Sequence, residues 1–265
     1  MKIVPFCGGL GAQIFAAVVV EHLRGEEGLH NVLGDTSYFL QTPKPAKRGE
    51  SINIYAWELD YYGIPVSRYD DSNPQDASWL QRKLGKGAHR RLEDGSPERF
   101  RVLREALKKN WSDAFPIQAA HGRESRRLLE EGNLPTAVVH LRRGDYWNVA
   151  LHLVTDSDVF PLLNKLVRLG IRRFLFASDD PVPLDYFTQR VPGVSAWGEI
   201  PSEDKFLAHA VMRNAGCLVI SNSQFSLSAA MLNGQGMVFM PRVWYGSGQP
   251  ELDSEIHPYC DWMAR

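Results

Sequence analysis

The sequence predicts an α/β fold of two Rossmann-like domains built on parallel sheets. Three observations carry this. The chain opens as a short apolar strand, a Gly-rich turn and a helix. From Pro135 onward, apolar runs alternate regularly with helical patterns. Three of the later strands end in polar clusters, as strands do when a ligand site lies beyond their carboxyl ends.

Taken in order, "KIVPF" is the first strand and "CGGLG" breaks it. "AQIFAAVVVEHLRGEEG" follows as a helix, with Ile14, Ala17, Val18 and Glu21 at helical spacing and Gly25 or Gly28 as terminator. "NVLGDTSYF" holds a strand, and the Pro- and Lys-rich "TPKPAKRGE" is a surface loop. "KLGKGAHRRLEDGSPE" reads as a solvated loop, its basic residues followed at once by acidic ones. "PERFRVLREALKKN" and "RESRRLLEEGN" are amphipathic helices, the second closing at Gly132-Asn133 before Pro135.

"TAVVHL" is then a strand, and "DVFPLLNKLVRLG" a helix capped by Asp156 or Asp158 and ended by Gly170. "RRFLFAS", "CLVIS" and "GMVFMP" are strands, and "DKFLAHAVMRNAG" and "QFSLSAAMLNG" are helices. The expected division is residues 1–120 and 121–265.

Composition narrows the class. The chain has 265 residues, 44% hydrophobic and 23% charged, with a formal net charge of −1. No overall basic field favours nucleic acid or an anionic membrane. Cys7, Cys217 and Cys260 are too few and too scattered for a disulfide framework or a zinc site. There is no signal-peptide pattern and no apolar run of membrane-spanning length. The expectation is a cytoplasmic protein, with a peripheral place at the inner face of a membrane left open.

The polar clusters define candidate site residues. In "AVVHLRRGDYW", His140 and Arg142 can share a strand face, and a guanidinium matches phosphate oxygens two at a time. Arg143 reads equally as a loop-stabilising partner of a carboxylate. The embedded Arg-Gly-Asp is also the form of an adhesion tag, a reading that needs secretion. In "FASDD", Asp179 and Asp180 could accept from the ring N–H and amine of guanine, or cap a turn before Pro181. In "SNSQFSLSAAM", Ser223 and Ser226 lie at a helix start, where free amides attract anions, although Ser also caps helices there. Gly9 and Gly11 suit close approach of backbone to a ligand. The dinucleotide pattern fails because position 14 is Ile. Asp156-Ser157-Asp158 has the D-x-D form of some metal-binding transferases but runs directly into a helix, so capping is the stronger reading, and no metal is expected.

In this order the motifs "GGLGAQIFAAV", "VVHLRRGDYWN", "FLFASDD", "DKFLAHAVMRNAGCLVISNSQFSLSAAML" and "HPYCDWMAR" resemble the α-1,2-fucosyltransferase family, glycosyltransferase family 11. The resemblance implies a GT-B architecture of two domains facing across a cleft. The first would be on the acceptor side, and the second would bind the GDP-sugar. It implies inverting transfer of L-fucose from GDP-fucose to an oligosaccharide acceptor, galactose O2 in that family, without a metal or other cofactor. It places the essential Arg at Arg142, the motif His at His140, its acidic partner at Asp145, the acidic pair at Asp179 and Asp180, and the hydroxyls at Ser223 and Ser226. The family's Asn in the opening motif is Ala12 here, and its two Trp after "F-S" are Leu227 and Ser228. The general base falls to Asp35 or Asp145, an alternative the sequence leaves open. A transferase for another GDP-sugar or linkage, and a non-catalytic GDP-sugar-binding homologue, are the competing expectations.

Overall fold

A computed structural model describes residues 1–28, 31–40, 56–64, 66, 68–69, 90–93, 96–144, 146, 155–234 and 236–241. The chain divides into two compact units, Met1–Phe115 and Pro116–Arg265. A boundary at residue 120 would cut the helix Ala119–Glu130, which belongs whole to the second unit.

The first unit carries a four-stranded parallel sheet of β1 (Lys2–Pro5), β2 (Val32–Asp35), β3 (Arg68–Tyr69) and β4 (Arg90–Arg91), in the order β3-β2-β1-β4. Between β1 and β2 runs α1 (Leu10–Glu27), whose apolar run from Ile14 to Val20 is buried, as is Leu23. Gly25 is interior to α1. The helix stops at Gly28, where φ is +90° and the N–H bonds the Arg24 carbonyl at 3.0 Å. In α2 (Pro97–Ala106), Ser96 caps the start by accepting from Arg99 N at 3.3 Å, with Pro97 in the first turn.

The stretch read as a solvated loop from residue 83 contains β4. Its register is set by backbone bonds from Arg90 N to Met1 O and from Leu92 N to Ile3 O. The loop assigned to residues 42–50 lies outside the described residues.

The second unit carries a five-stranded parallel sheet of β5 (Thr136–Leu141), β6 (Arg173–Ser178), β7 (Ala196–Glu199), β8 (Cys217–Val219) and β9 (Met237–Phe239). The order β7-β6-β5-β8-β9 reverses direction at β5, so the crevice beyond the carboxyl ends of β5 and β8 is the switch point. The helices are α3 (Ala119–Glu130), α4 (Asp156–Arg168), α5 (Leu184–Arg190), α6 (Lys205–Asn214) and α7 (Gln224–Met231).

Alternation along β5 assigns its two faces. Ala137, Val139 and Leu141 join Val159, Leu163 and Leu166 of α4 and Phe187 of α5 in one core. His140 faces the opposite side, beside Phe225 of α7. Phe174, Phe176 and Phe187 are fully buried in the first of these layers. Each such ring contributes about 1.5–3 kcal/mol through burial.

Local signals explain most helix ends. Asp204 caps α6 by accepting from Leu207 N at 2.9 Å. At α4 the capping residue is Thr155, not Asp156 or Asp158: the Asp158 carboxylate reaches back to Thr155 N at 3.0 Å and Thr155 Oγ1 at 2.7 Å. Elements α5 and β7 were absent from the sequence reading. The helix spans only seven residues, and the strand only four with a glycine among them.

Among the described residues, no helix is long and apolar enough to cross a membrane.

Candidate functional site

The second unit concentrates polar side chains where β5 and β6 end and the turn from β8 into α7 begins. Arg142 follows β5 directly. Its Nη1 lies 2.6 Å from Asp179 Oδ2, with about a quarter of each side chain open to solvent (24% and 26%). The other oxygen, Asp179 Oδ1, accepts from the backbone N–H of Arg143 at 2.7 Å. One carboxylate thus fixes both the Arg142 guanidinium and the turn that carries it.

Gly144 leaves room for the Asp179 carboxylate. A Cβ there would sit 2.6 Å from Asp179 Oδ2. Tyr146 completes the wall, its ring centre 5.3 Å from the Arg142 guanidinium carbon and its hydroxyl donating to Asn222 O at 3.4 Å.

Arg143 points elsewhere. It is 4% exposed and paired with Asp156 at the start of α4. The D-x-D carboxylates are therefore both engaged with protein groups, Asp156 with Arg143 and Asp158 with the cap. Arg143 supports the loop, the second of the two readings open for it.

His140 is buried, its Nδ1 sharing a 2.7 Å hydrogen bond with Ser221 Oγ. Burial, reinforced by the charge of Arg142, pushes its pKa down to about 3. Beyond it, Phe225 packs between His140 and His209, with ring centres 5.7 and 5.4 Å away. His209 Nε2 meets Ser228 Oγ at 3.1 Å, and burial, then Arg213 and His140, holds its pKa well below the usual value. Ser228, one of the departures from the family motif, is thus built into a buried pair with His209, and Leu227 is buried as well.

Both imidazoles are neutral in the fold, whereas an unfolded chain protonates them near pH 6.5. Stability from this source is present above that pH and is lost as pH falls toward 3. We expect urea midpoints to drop more between pH 7 and pH 4 for the wild type than for His140→Asn. An equally steep drop in the variant would show that His140 does not carry the effect.

The hydroxyl cluster divides by role. Ser223 caps α7, its Oγ accepting from Phe225 N at 3.3 Å. Ser226 is fully buried and donates to Ser221 O and Ser223 O at 3.2 and 3.3 Å. Ser226 therefore ties the turn together from within. Asp179 has a structural role of its own. Each of its oxygens already has a protein partner, Arg142 for one and the Arg143 amide for the other, so it holds the arginine in place. Asp180 remains at the strand end, its N–H bonded to Ser178 Oγ at 3.2 Å. Asp145 lies outside the described residues, as does the C-terminal "HPYCDWMAR".

In the first unit, Gly9 precedes α1 as its capping residue, and Gly11 is buried in the first turn. The neighbouring Gly8 has a φ of +69°, and a Cβ there would stand 3.2 Å from Ala12 Cβ. A residue missed in the sequence holds this loop. Gln13, fully buried, donates to Gly8 O and Ala56 O at 3.0 and 2.9 Å and accepts from Glu58 N at 2.9 Å.

Asp35 ends β2 and is 3% exposed. Its Oδ2 pairs with Arg91 Nη2 at 2.7 Å, and its Oδ1 accepts from Ser37 N at 3.0 Å. Buried Arg99 donates to Pro5 O at 2.8 Å and so anchors α2 to the end of β1. Cys7 is half-buried. Cys217 is buried in β8, where burial pushes its thiol up to about 11.

A crystal structure of POFUT1 in complex with GDP aligns with this chain at a TM-score of 0.52 and 12% identity, covering 90% of this chain and 97% of that one. A structure of POFUT1 in complex with GDP-fucose aligns at the same score and identity, covering 90% and 96%. The chain has the GT-B fold. No protein-family model and no curated protein matches the chain by sequence. The fold places the Arg142 cluster at the switch point of a GT-B unit's sheet.

Proposed function

We propose that the protein is a glycosyltransferase that moves L-fucose from GDP-fucose to a glycan hydroxyl with inversion and without a metal. The carrying observation is Arg142, just past the central strand β5 that borders the switch point, and fixed there by its pair with Asp179. The motif resemblance around residues 137–147 supports the donor assignment. So does the shared fold with POFUT1, which has been crystallised with GDP-fucose.

In this reading an acceptor oxygen attacks the anomeric carbon as the bond from that carbon to the β-phosphate oxygen breaks. GDP leaves with the electron pair, and the acceptor proton passes to a base. Arg142 and the amino end of α7 offset the charge growing on the β-phosphate. His140, neutral and bonded to Ser221, keeps the turn before α7 at a fixed height against β5. Asp180 is the proposed contact to the guanine edge. Asp35 has both oxygens engaged and little exposure, so the base role falls to Asp145. Transfer to galactose O2 is the linkage we propose for the acceptor.

Calorimetry tests the donor. GDP and GDP-fucose should bind, UDP and ADP should not, and Asp180→Ala should narrow that gap. Equal affinity for GDP and UDP would reject the guanine assignment. Asp145→Asn should lose transfer while keeping GDP affinity. A variant with normal turnover would remove Asp145 as base.

Gly144→Ala supplies an independent check on Arg142. Its Cβ must push the Asp179 carboxylate off the guanidinium. If the misplaced guanidinium then loses one charge-assisted contact to the diphosphate, worth about 1.5–3 kcal/mol, GDP affinity should fall about tenfold or more. Unchanged affinity would mean that Asp179 does not set the position of Arg142.

A further inference from the structure

The carboxyl edge of the first unit's sheet carries two unlike surfaces side by side. One is aromatic. Phe6 follows β1, and Trp57 packs on it with ring centres 5.3 Å apart. Phe39, in the turn after β2, meets Trp57 edge-on at 5.5 Å. Phe6 is buried, whereas Phe39 and Trp57 are half-exposed. The other surface is ionic. Arg91 lies between Asp35 Oδ2 at 2.7 Å and Glu93 Oε1 at 2.9 Å, with side-chain exposures of 30%, 3% and 60% respectively. The two surfaces adjoin, because Phe6 N donates to Asp35 O at 2.8 Å.

We propose that this edge is a saccharide subsite, with Trp57 and Phe39 as its stacking floor and Arg91 with Glu93 as its hydroxyl clamp. A pyranose has a C–H face that packs on aromatic rings and neighbouring hydroxyls that pair with planar guanidinium and carboxylate edges. Asp35 is the positioning residue: it is closed to solvent and fixes the Arg91 guanidinium by their ion pair. The charged trio has two carboxylates for one guanidinium, so it repels phosphates and favours a neutral, hydroxyl-rich ligand. A nucleotide suits the second unit, where Arg142 stands at the switch point, and does not suit this edge. The inference rests on the transferase reading, for which this subsite would seat the acceptor sugar.

The test uses the full chain without any donor on an array of neutral oligosaccharides, followed by titration of the strongest hit. Trp57→Leu should weaken that hit about tenfold, equivalent to about 1.4 kcal/mol, and Trp57→Phe should restore most of it. Glu93→Gln, at the exposed end of the clamp, should weaken it about threefold with an unchanged melting temperature. It keeps the test decisive if Trp57→Leu unfolds. No saccharide binding by the wild type overturns the proposal, as does binding that Glu93→Gln and the folded Trp57 variants leave unchanged. GDP-fucose calorimetry on the same wild-type sample separates the two readings. Donor binding without saccharide binding removes this subsite alone, and saccharide binding without donor binding removes the transferase reading alone.

Discussion

Arg142→Ala is expected to lower the transfer rate about 100- to 1000-fold, the usual cost of losing one preorganised donor to a developing negative charge. The effect should fall on kcat more than on the KM for the acceptor, because the charge on the departing phosphate grows only as the bond breaks. Arg142→Lys should recover little. A lysine keeps the charge but not the planar edge that Asp179 holds. Steady-state kinetics with GDP-fucose and an acceptor glycan measure both variants. Turnover within a few-fold of wild type for Arg142→Ala would remove Arg142 from the chemistry.

Asp156→Ala should strike at stability instead. Its partner Arg143 is 4% exposed, and the substitution leaves a buried guanidinium without its carboxylate. Breaking a buried pair by removing one member costs about 3–5 kcal/mol. The 27% exposure of the Asp156 side chain puts the effect at the lower end, about 3 kcal/mol. For a chain of this size that corresponds to a fall of about 6–12 °C in Tm. The double variant Arg143→Met, Asp156→Leu should regain most of the loss, since apolar groups of similar volume can replace a buried pair. Urea unfolding of the three proteins decides the matter. A double variant as unstable as Asp156→Ala would mean that the pair's charge is not what holds the loop. Two adjacent arginines thus have separable surroundings, Arg142 partly open beside Asp179 and Arg143 closed against Asp156.

What was readable in the sequence and what was not follows from the range of each interaction. Strand β5, the helices around it and the position of Arg142 at a strand end rest on local periodicity and on Gly, Asp and Ser signals within a few residues. The same holds for the stop of α1 at Gly28. The partners were not readable. Asp179 is 36 residues from the Arg143 amide it accepts from, and Arg91 is 56 residues from Asp35. No spacing rule connects them. Gln13 looked like an ordinary helix residue because its three hydrogen bonds go mainly to backbone more than 40 residues away. Strand β4 has only two residues, both arginine, and exists because β1 offers its edge. Ser226 misled in the other direction. A serine in the first turn of a helix can face out to an anion or in to its own cap, and only burial tells which.

The Asp179–Arg142 pair has a kinetic consequence. An arginine already neutralised by a carboxylate does not meet an incoming diphosphate as a bare cation. In the proposed transferase, donor binding would be an exchange, in which phosphate oxygens share a guanidinium that Asp179 keeps in place. Such sharing would let the spent nucleotide leave without stranding a bare cation, and in many transferases product release of this kind sets how soon the next cycle starts.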